Sequence, residues 1–476
     1  MAYQPALRIC NPNLSPSPRW GLPADLIRAT ASCDVGNMPI TQIVMCAALG
    51  SLGTSDVSSS GTAPPSATLG AVQVVRRSGV VNCVPALPPP HVPGQPGDLD
   101  IPDAPSRAWF SPRGGARDHI TLLATHTAAR YDRGATLQGS GRLQHDCAPV
   151  FNSTWNADPS LFDDRTWLMS PWFPPGATPT TRVYALAHME FHGYADVVGH
   201  ALCVNQTTGR PYTRSPEPQS CWYNAIVLLA SSDGGRTFRH AAPPPAHLVA
   251  AAPYKYAQGT AIGYGDMSNV LLHRDDGFLY VFANSRGDYR AMKKGHCLMR
   301  TQAERVGDPG SWRGWGGEGR GFNVSFVNPY HGPVADPAAH VCEPLDIAFG
   351  PHFIGWSTFY ARYIAIGETQ FTHPNGTRVP GLSFAFSLSR DLLHWSPPAF
   401  IKQAGDGGGV KEAYPSLLDE DASRGHGSNL DRVGQDSGFL YYMHSHDCNL
   451  TNFKCRDIWR QPIAFAGNES RSQDFI

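Results

Sequence analysis

Three carboxylates stand where short polar stretches interrupt apolar segments: Glu343 in CEPLD, Glu190 in LAHMEFHG and Asp266 in YGDMSN. Carboxyl groups gathered at one place can divide their roles, one held protonated by a neighbouring charge while another stays ionised. Around a shared channel, such a set suits hydrolysis of a glycosidic bond: one acid protonates the leaving oxygen and another acts as base or nucleophile. The groups placed to bind a substrate beside them are His188, Arg107, Arg286 and Tyr414, with Glu412 and Glu368 close behind.

Each residue also has a plainer reading. Glu343 can bond backbone donors at a strand start, Asp266 can be a turn residue after Gly265, and Tyr414 can close the edge of a core. His188, Glu190 and His192 alternate along one segment and so face one side of a strand, an arrangement that suits a metal but equally a hydrated rim. The rim is the expectation, with no metal and no cofactor assigned; a need for calcium is not legible.

The elements that must position these groups recur along the chain. HITLLATH (119–126), VYALAHM (183–189), FLYVFAN (278–284), ARYIAIG (361–367) and FLYYMHS (439–445) are short and rich in aromatic and β-branched residues. Several follow a turn pair such as Asp276-Gly277 or Ser437-Gly438, as strands of a meander do. A second series agrees. Asp158, Asp233, Asp308 and Asp391 each precede an aromatic residue by four or five positions, and they step by 75, 75 and 83 residues. A near-regular period with one supersecondary unit per repeat predicts a propeller or solenoid. Five copies predict an all-β, five-bladed β-propeller over residues 103–476, six blades being the alternative if terminal segments pair as strands. In such a fold the residues just before inner strands, or ending second strands, surround the channel mouth. That rule selects the acids named above.

Residues 1–102 read differently. Ser, Pro, Gly and Ala dominate, as in SSSGTAPPS and ALPPPHVPGQPG, and AVQVV (71–75) is the one apolar pattern of note, so a mostly disordered segment is expected. ITQIVMCAALGSLG (40–53) has the length of a signal core but lies internally without a basic stretch before it, and it is short for a membrane span. A mature chain beginning after it is one reading. No other segment is a transmembrane candidate.

Lys+Arg 38 against Asp+Glu 39 gives a net charge of -1, so no field for a polyanion is present and a nucleic-acid partner is disfavoured. The 48 glycines and 42 prolines fit a turn-dense β protein. Seven sequons, at Asn13, Asn152, Asn205, Asn323, Asn375, Asn449 and Asn468, favour a secreted glycoprotein. The 11 cysteines include no CxxC pair; Cys203 with Cys221 and Cys448 with Cys455 bracket loops that a disulfide would staple. Oligomeric state is not legible.

Ser231-x-Asp233-x-Gly235-x-Thr237-Phe238 resembles the Asp-box of sialidase-type β-propellers, with Phe where Trp is usual. Ser389-Arg-Asp391-Leu-Leu-His-Trp395 resembles the S-x-D-L-x-x-W turn of arabinanase- and invertase-type five-bladed glycosidases, and Cys342-Glu343-Pro344 resembles the segment that carries the acid in invertases. The resemblance covers roughly residues 103–465 and implies a glycosidase-like propeller acting on a carbohydrate. Departures are plain. Trp155-Asn-Ala-Asp-Pro159 imitates the invertase Asn-Asp-Pro-Asn-Gly strand only in part, and Arg107-Ala-Trp-Phe110 stands where sialidases carry Phe/Tyr-Arg-Ile-Pro. Neither family's full acid set transfers, so a propeller that binds a carbohydrate or a protein without chemistry is the alternative function.

Overall fold

Runs of aromatic and β-branched residues, each ended by a turn, fold into antiparallel meanders that pack side by side as a five-bladed β-propeller. The computed structural model describes residues 64–77, 104–111, 120–124, 128–137, 143–194, 202–212, 221–405, 411–435, 438–447 and 454–467. Two short strands come first, β1 (Ser66–Leu69) and β2 (Gln73–Arg76). Blade one is β3 (Arg107–Phe110), β4 (Ile120–Ala124), β5 (Ala128–Gly134) and β6 (Gln144–Asn152), in that order. Blade two is β7 (Arg165–Trp172), β8 (Val183–His192) and β9 (Cys221–Ser231), edged by β10 (Arg239–His240) and β11 (Leu248–Ala251). Blade three opens with β12 (Thr260–Gly265) and β13 (Leu271–Leu272), then β14 (Phe278–Arg286), β15 (Gly295–Gln302), β16 (Arg313–Gly314) and β17 (Val324–Ser325). Blade four is β18 (Gly350–Ser357), β19 (Arg362–Thr369), β20 (Ser383–Ser389) and β21 (Ala399–Gln403). Blade five is β22 (Lys411–Leu418), then, past β23 (Arg432–Val433), which pairs with β18, β24 (Phe439–Asp447) and β25 (Lys454–Ala466).

The outer edge of blade five comes from the other end of the chain. β1 pairs with β25 from Ser66↔Ala466 to Leu69↔Ile463, and β2 continues along it at Gln73↔Arg460. These strands lie inside the segment expected to be mostly disordered, and they complete the fifth blade rather than adding a sixth. Their composition hides them: Val74 stays 42% exposed, and only Ala67, Leu69 and Val75 among their apolar side chains pack against the core, so the strands depend heavily on the ladder they complete. β2 also reaches blade one, where Arg76 lies 3.4 Å from Asp132, itself 2.9 Å from His145 Nδ1. The stretch 40–53, Cys448 and the sequons at Asn13, Asn449 and Asn468 lie outside the described residues.

Blades two and three are continuous. β12 lies parallel to β9, from Thr260↔Cys221 to Gly263↔Asn224, so one sheet runs through both blades. Glycine is required at the joint: Gly263 has φ +116 and a Cβ there would meet Asn224 O at 1.9 Å. At the far end of the ring, the segment 428–433 crosses from blade five to its neighbours. Ser428 O accepts from Phe110 N, the Asn429 side chain bonds both the N–H and the C=O of Phe173, and Asp431 O accepts from Trp356 N.

The four aspartate turns are scaffold. Asp233 accepts from the N–H groups of Arg236 and Thr237 at 2.9 and 3.0 Å, and Asp391 from those of Leu393 and His394 at 2.9 and 2.8 Å. Asp158 and Asp308 cap the single turns that follow them. Phe162, Phe238 and Trp312, the aromatics that follow three of the four, are buried in the core shared by the first three blades. Two disulfides are present among the described residues, the expected Cys203–Cys221 and an unexpected Cys297–Cys342 that closes a 45-residue excursion. No described helix is long and apolar enough to cross a membrane.

Candidate active site

Directly opposed residues in a sheet project to the same face. Across the joint between blades two and three the pairing runs Arg165↔Glu190↔Asn224↔Gly263↔Arg286, so an acid, an amide and two guanidinium groups share one row. His192↔Trp222 flanks that row, with ring centroids 4.6 Å apart, and the Arg286 guanidinium lies 4.1 Å from the centre of the Trp222 ring. His188, two residues before Glu190 on the same strand, shares its face.

His188 stands between two carboxyl groups. Its Nε2 is 3.6 Å from Glu190 Oε1 and its Nδ1 is 3.5 Å from Asp266 Oδ1. Arg286 donates to Asp266 Oδ2 at 3.1 Å, and His192 Nε2 lies 3.2 Å from Glu190 Oε2. Asp266 directly follows β12 with φ 44, a left-handed conformation that is rare for a non-glycine residue. The backbone passes so close that a Cβ on Gly265 would meet the His188 ring at 2.2 Å.

The two carboxyls are driven apart. Burial pushes Glu190 above the usual carboxylate range against the pull of His188, and the Asp266 charge adds to the rise. At Asp266 burial also pushes upward, but the charges of His188, Arg286 and His352 outweigh it and hold the group below the usual range. The two displacements are opposite in sign, Glu190 raised and Asp266 lowered.

Blades four and five complete the mouth. Glu368, ending β19, accepts from Tyr414 N at 2.7 Å and lies 3.5 Å from His352 Nε2. Burial and the charges of Asp266, Glu368 and Glu190 hold the Tyr414 phenol above its usual range, so it stays a hydrogen-bond donor. Glu190, Arg286 and Glu368 end or nearly end second strands, His352 and Tyr414 lie in the first halves of β18 and β22, and Asp266 stands between β12 and β13.

Two expected residues are placed elsewhere. Glu343 is half exposed and paired with Lys293 Nζ at 2.7 Å, with no hydrogen bond or ion pair to His188, Glu190, Asp266 or Arg286 among the described residues. The inner strand of blade four begins at Gly350, so Glu343 precedes it by a loop pinned at Cys342 rather than opening it. Arg107 does open an inner strand, but it is 4% exposed and its two Nη groups donate to Met267 O, His352 O, Ser106 O and Ser416 Oγ. It ties blades one, three, four and five together below the cup, and burial lowers its guanidinium to about 9. Glu412 pairs with Lys402 of blade four at 2.6 Å. Asn224, Arg165 and His352 belong to the site or border it and were not selected from sequence. Only the pairing register shows Asn224 and Arg165 opposite Glu190.

No group of His, Cys, Asp and Glu among the described residues is arranged to hold a metal ion. No family model matches the chain, and no curated protein does. Solved structures similar to it include arabinanases, arabinofuranosidases and a mannose phosphorylase from Leishmania mexicana. They include the α-L-arabinanase of Cellvibrio cellulosa, at 12% identity over 72% of this chain and 89% of that one, with a TM-score of 0.36. The catalytic domain of the Coprinopsis cinerea GH62 α-L-arabinofuranosidase aligns at 8% identity, 76% and 91% coverage and TM-score 0.35. The α-L-arabinofuranosidase of Fusarium graminearum in complex with an iminosugar inhibitor does so at 11%, 75% and 92%, and 0.35.

Proposed function

We propose that the cup hydrolyses a glycosidic bond, with Glu190 as the acid and Asp266 as its ionised partner. The observation that carries this reading is the opposite displacement of two carboxyls on either side of one imidazole. Spanned by His188, they are no more than about 10 Å apart, the outer limit for a glycosidase pair. Glu190 gives its proton to the leaving oxygen as the C–O bond breaks. If Asp266 activates a water it takes that water's proton, which returns to Glu190 through solvent; if it attacks the sugar carbon instead, a water then cleaves the glycosyl–Asp266 ester and gives its proton to Glu190. Trp222, stacked with Arg286 beside the row, offers a ring face to a sugar, and the Tyr414 hydroxyl and the Arg286 guanidinium offer donors to its hydroxyls.

The test is turnover of a panel of nitrophenyl furanosides and pyranosides, an α-L-arabinofuranoside among them, by wild type, Glu190→Gln, Asp266→Asn and Glu343→Gln. Loss of roughly a hundredfold or more in the first two variants, with Glu343→Gln close to wild type, supports the assignment. Loss in Glu343→Gln alone would overturn it. Saturable sugar binding without turnover in wild type would favour a carbohydrate-binding propeller.

The two disulfides, the half-buried Asn205 sequon and the exposed Asn375 sequon support passage through the secretory route. Peptide mapping after deglycosylation decides it: unmodified Asn205 and Asn375 together with free Cys203 and Cys221 would exclude that route.

A further inference from the structure

We propose that Glu368 is a positioning residue of the cup: its carboxylate clamps the backbone of Tyr414 in a left-handed bulge and so fixes where the phenol stands. This rests on reading the cup as the reaction site. Tyr414 has φ 59 within β22, and the pairing of β22 with β24 shifts register between Ala413 and Ser416. A bulky residue adopts that conformation only when its surroundings enforce it, and a bulge of this kind re-aims a side chain out of the strand's alternation. The enforcing contact is the 2.7 Å bond from Tyr414 N to Glu368 Oε1, supplied by the preceding blade.

A second contact repeats the device. Asp266, also left-handed, has its N–H 3.4 Å from His188 Nδ1, and His188 lies midway along the second strand of the blade before. At both joints, then, a side chain from one blade's second strand meets the backbone N–H of a left-handed residue of the next blade. The two residues also interact at a distance: the Asp266 charge acts on the Tyr414 phenol. Glu368 is suited to the task. It is 14% exposed, its ionised form is supported by His352 and by the Tyr414 N–H against burial, and the His352 ring packs edge-on to Tyr414 at 5.5 Å.

The test uses full-length protein carrying [13Cζ]tyrosine, the Tyr414 resonance being assigned with Tyr414→Phe, beside kcat and KM on the best aryl glycoside. Glu368→Gln keeps an acceptor oxygen in place and is expected to keep the resonance and most of kcat. Glu368→Met keeps the length without an acceptor. It is expected to move the resonance and to lower kcat by on the order of a hundredfold with little change in KM, as misplacement of a site group does. Glu368→Ala is read in its place if the Met variant does not fold. An unmoved resonance in the Met or Ala variant, or a Gln variant as impaired as they are, overturns the clamp. If wild type hydrolyses no glycoside, the hydrolase reading fails while the resonance still decides the clamp.

Discussion

Glu190 and Arg286 occupy the same cross-strand row, although one ends a strand of blade two and the other a strand of blade three. The parallel joint of β9 and β12 puts them there. Arg286 therefore bears on both carboxyls, lowering Glu190 and Asp266 together.

Removing that charge should displace the whole pH profile. With Asp266 required ionised and Glu190 required protonated, kcat/KM rises through the first group's pKa and falls through the second's. Arg286→Met raises both, so both limbs move to higher pH, by about a unit, typical for a neighbouring charge. A profile that loses height without moving would show that Arg286 acts only on the substrate.

Asp164 makes a separate, stability-linked prediction. Burial pushes its carboxyl up to about 8, against the pull of Arg165 and of the N–H groups of His192 and Arg165. The folded state then keeps a proton that the unfolded chain releases, so stability is full below the unfolded pKa and falls as pH rises toward 8, by up to ~1.4 kcal/mol per unit. Asp164→Asn should flatten the dependence of Tm on pH between about 4 and 8. An unchanged slope would show that Asp164 is ionised in the fold.

Asn224 is fully buried and neither of its amide atoms has a hydrogen-bond partner among the described residues. An unmet amide costs about 1–3 kcal/mol, which Asn224→Leu should recover in part as a higher Tm. Beside Glu190 the same change is expected to lower turnover. A variant both more stable and fully active would remove Asn224 from the site.

Truncation separates the two parts of the N-terminal segment. A chain starting at residue 63 retains β1, β2 and the Arg76–Asp132 pair, and should melt as the full chain does. One starting at 103 strips the edge of β25 and leaves Asp132 buried without Arg76, a loss of about 3–5 kcal/mol for the pair alone. Equal melting of the two chains, followed by circular dichroism, would contradict this account.

The blades were legible because each is local: a strand, a turn aspartate and an aromatic that packs behind it lie within a few residues of one another. His188, Glu190, Asp266, Arg286 and Tyr414 were legible for the same reason, standing in or beside strands that a repeating meander places at one mouth. What depended on distant partners was hidden. Glu343 reads as a strand start until Cys342 is seen bound to Cys297. Arg107 occupies the expected position, but carbonyls of blades three and four turn it inward. Asn224 looks like any strand residue until register sets it opposite Glu190. β1 and β2 look like linker because their partner strand lies nearly 400 residues away.

The pairing of Ser66 with Ala466 also fixes an order of events during synthesis. At translation speeds of roughly 5–20 residues per second, β1 emerges at least some twenty seconds before its partner strand exists. Blades one to four can form on the ribosome in turn, but the fifth must wait with its outer strand in hand. For that interval the nascent chain carries an open-ended stack of sheets with an unpaired edge, the species that a chaperone would meet and that crowding would push toward neighbouring chains.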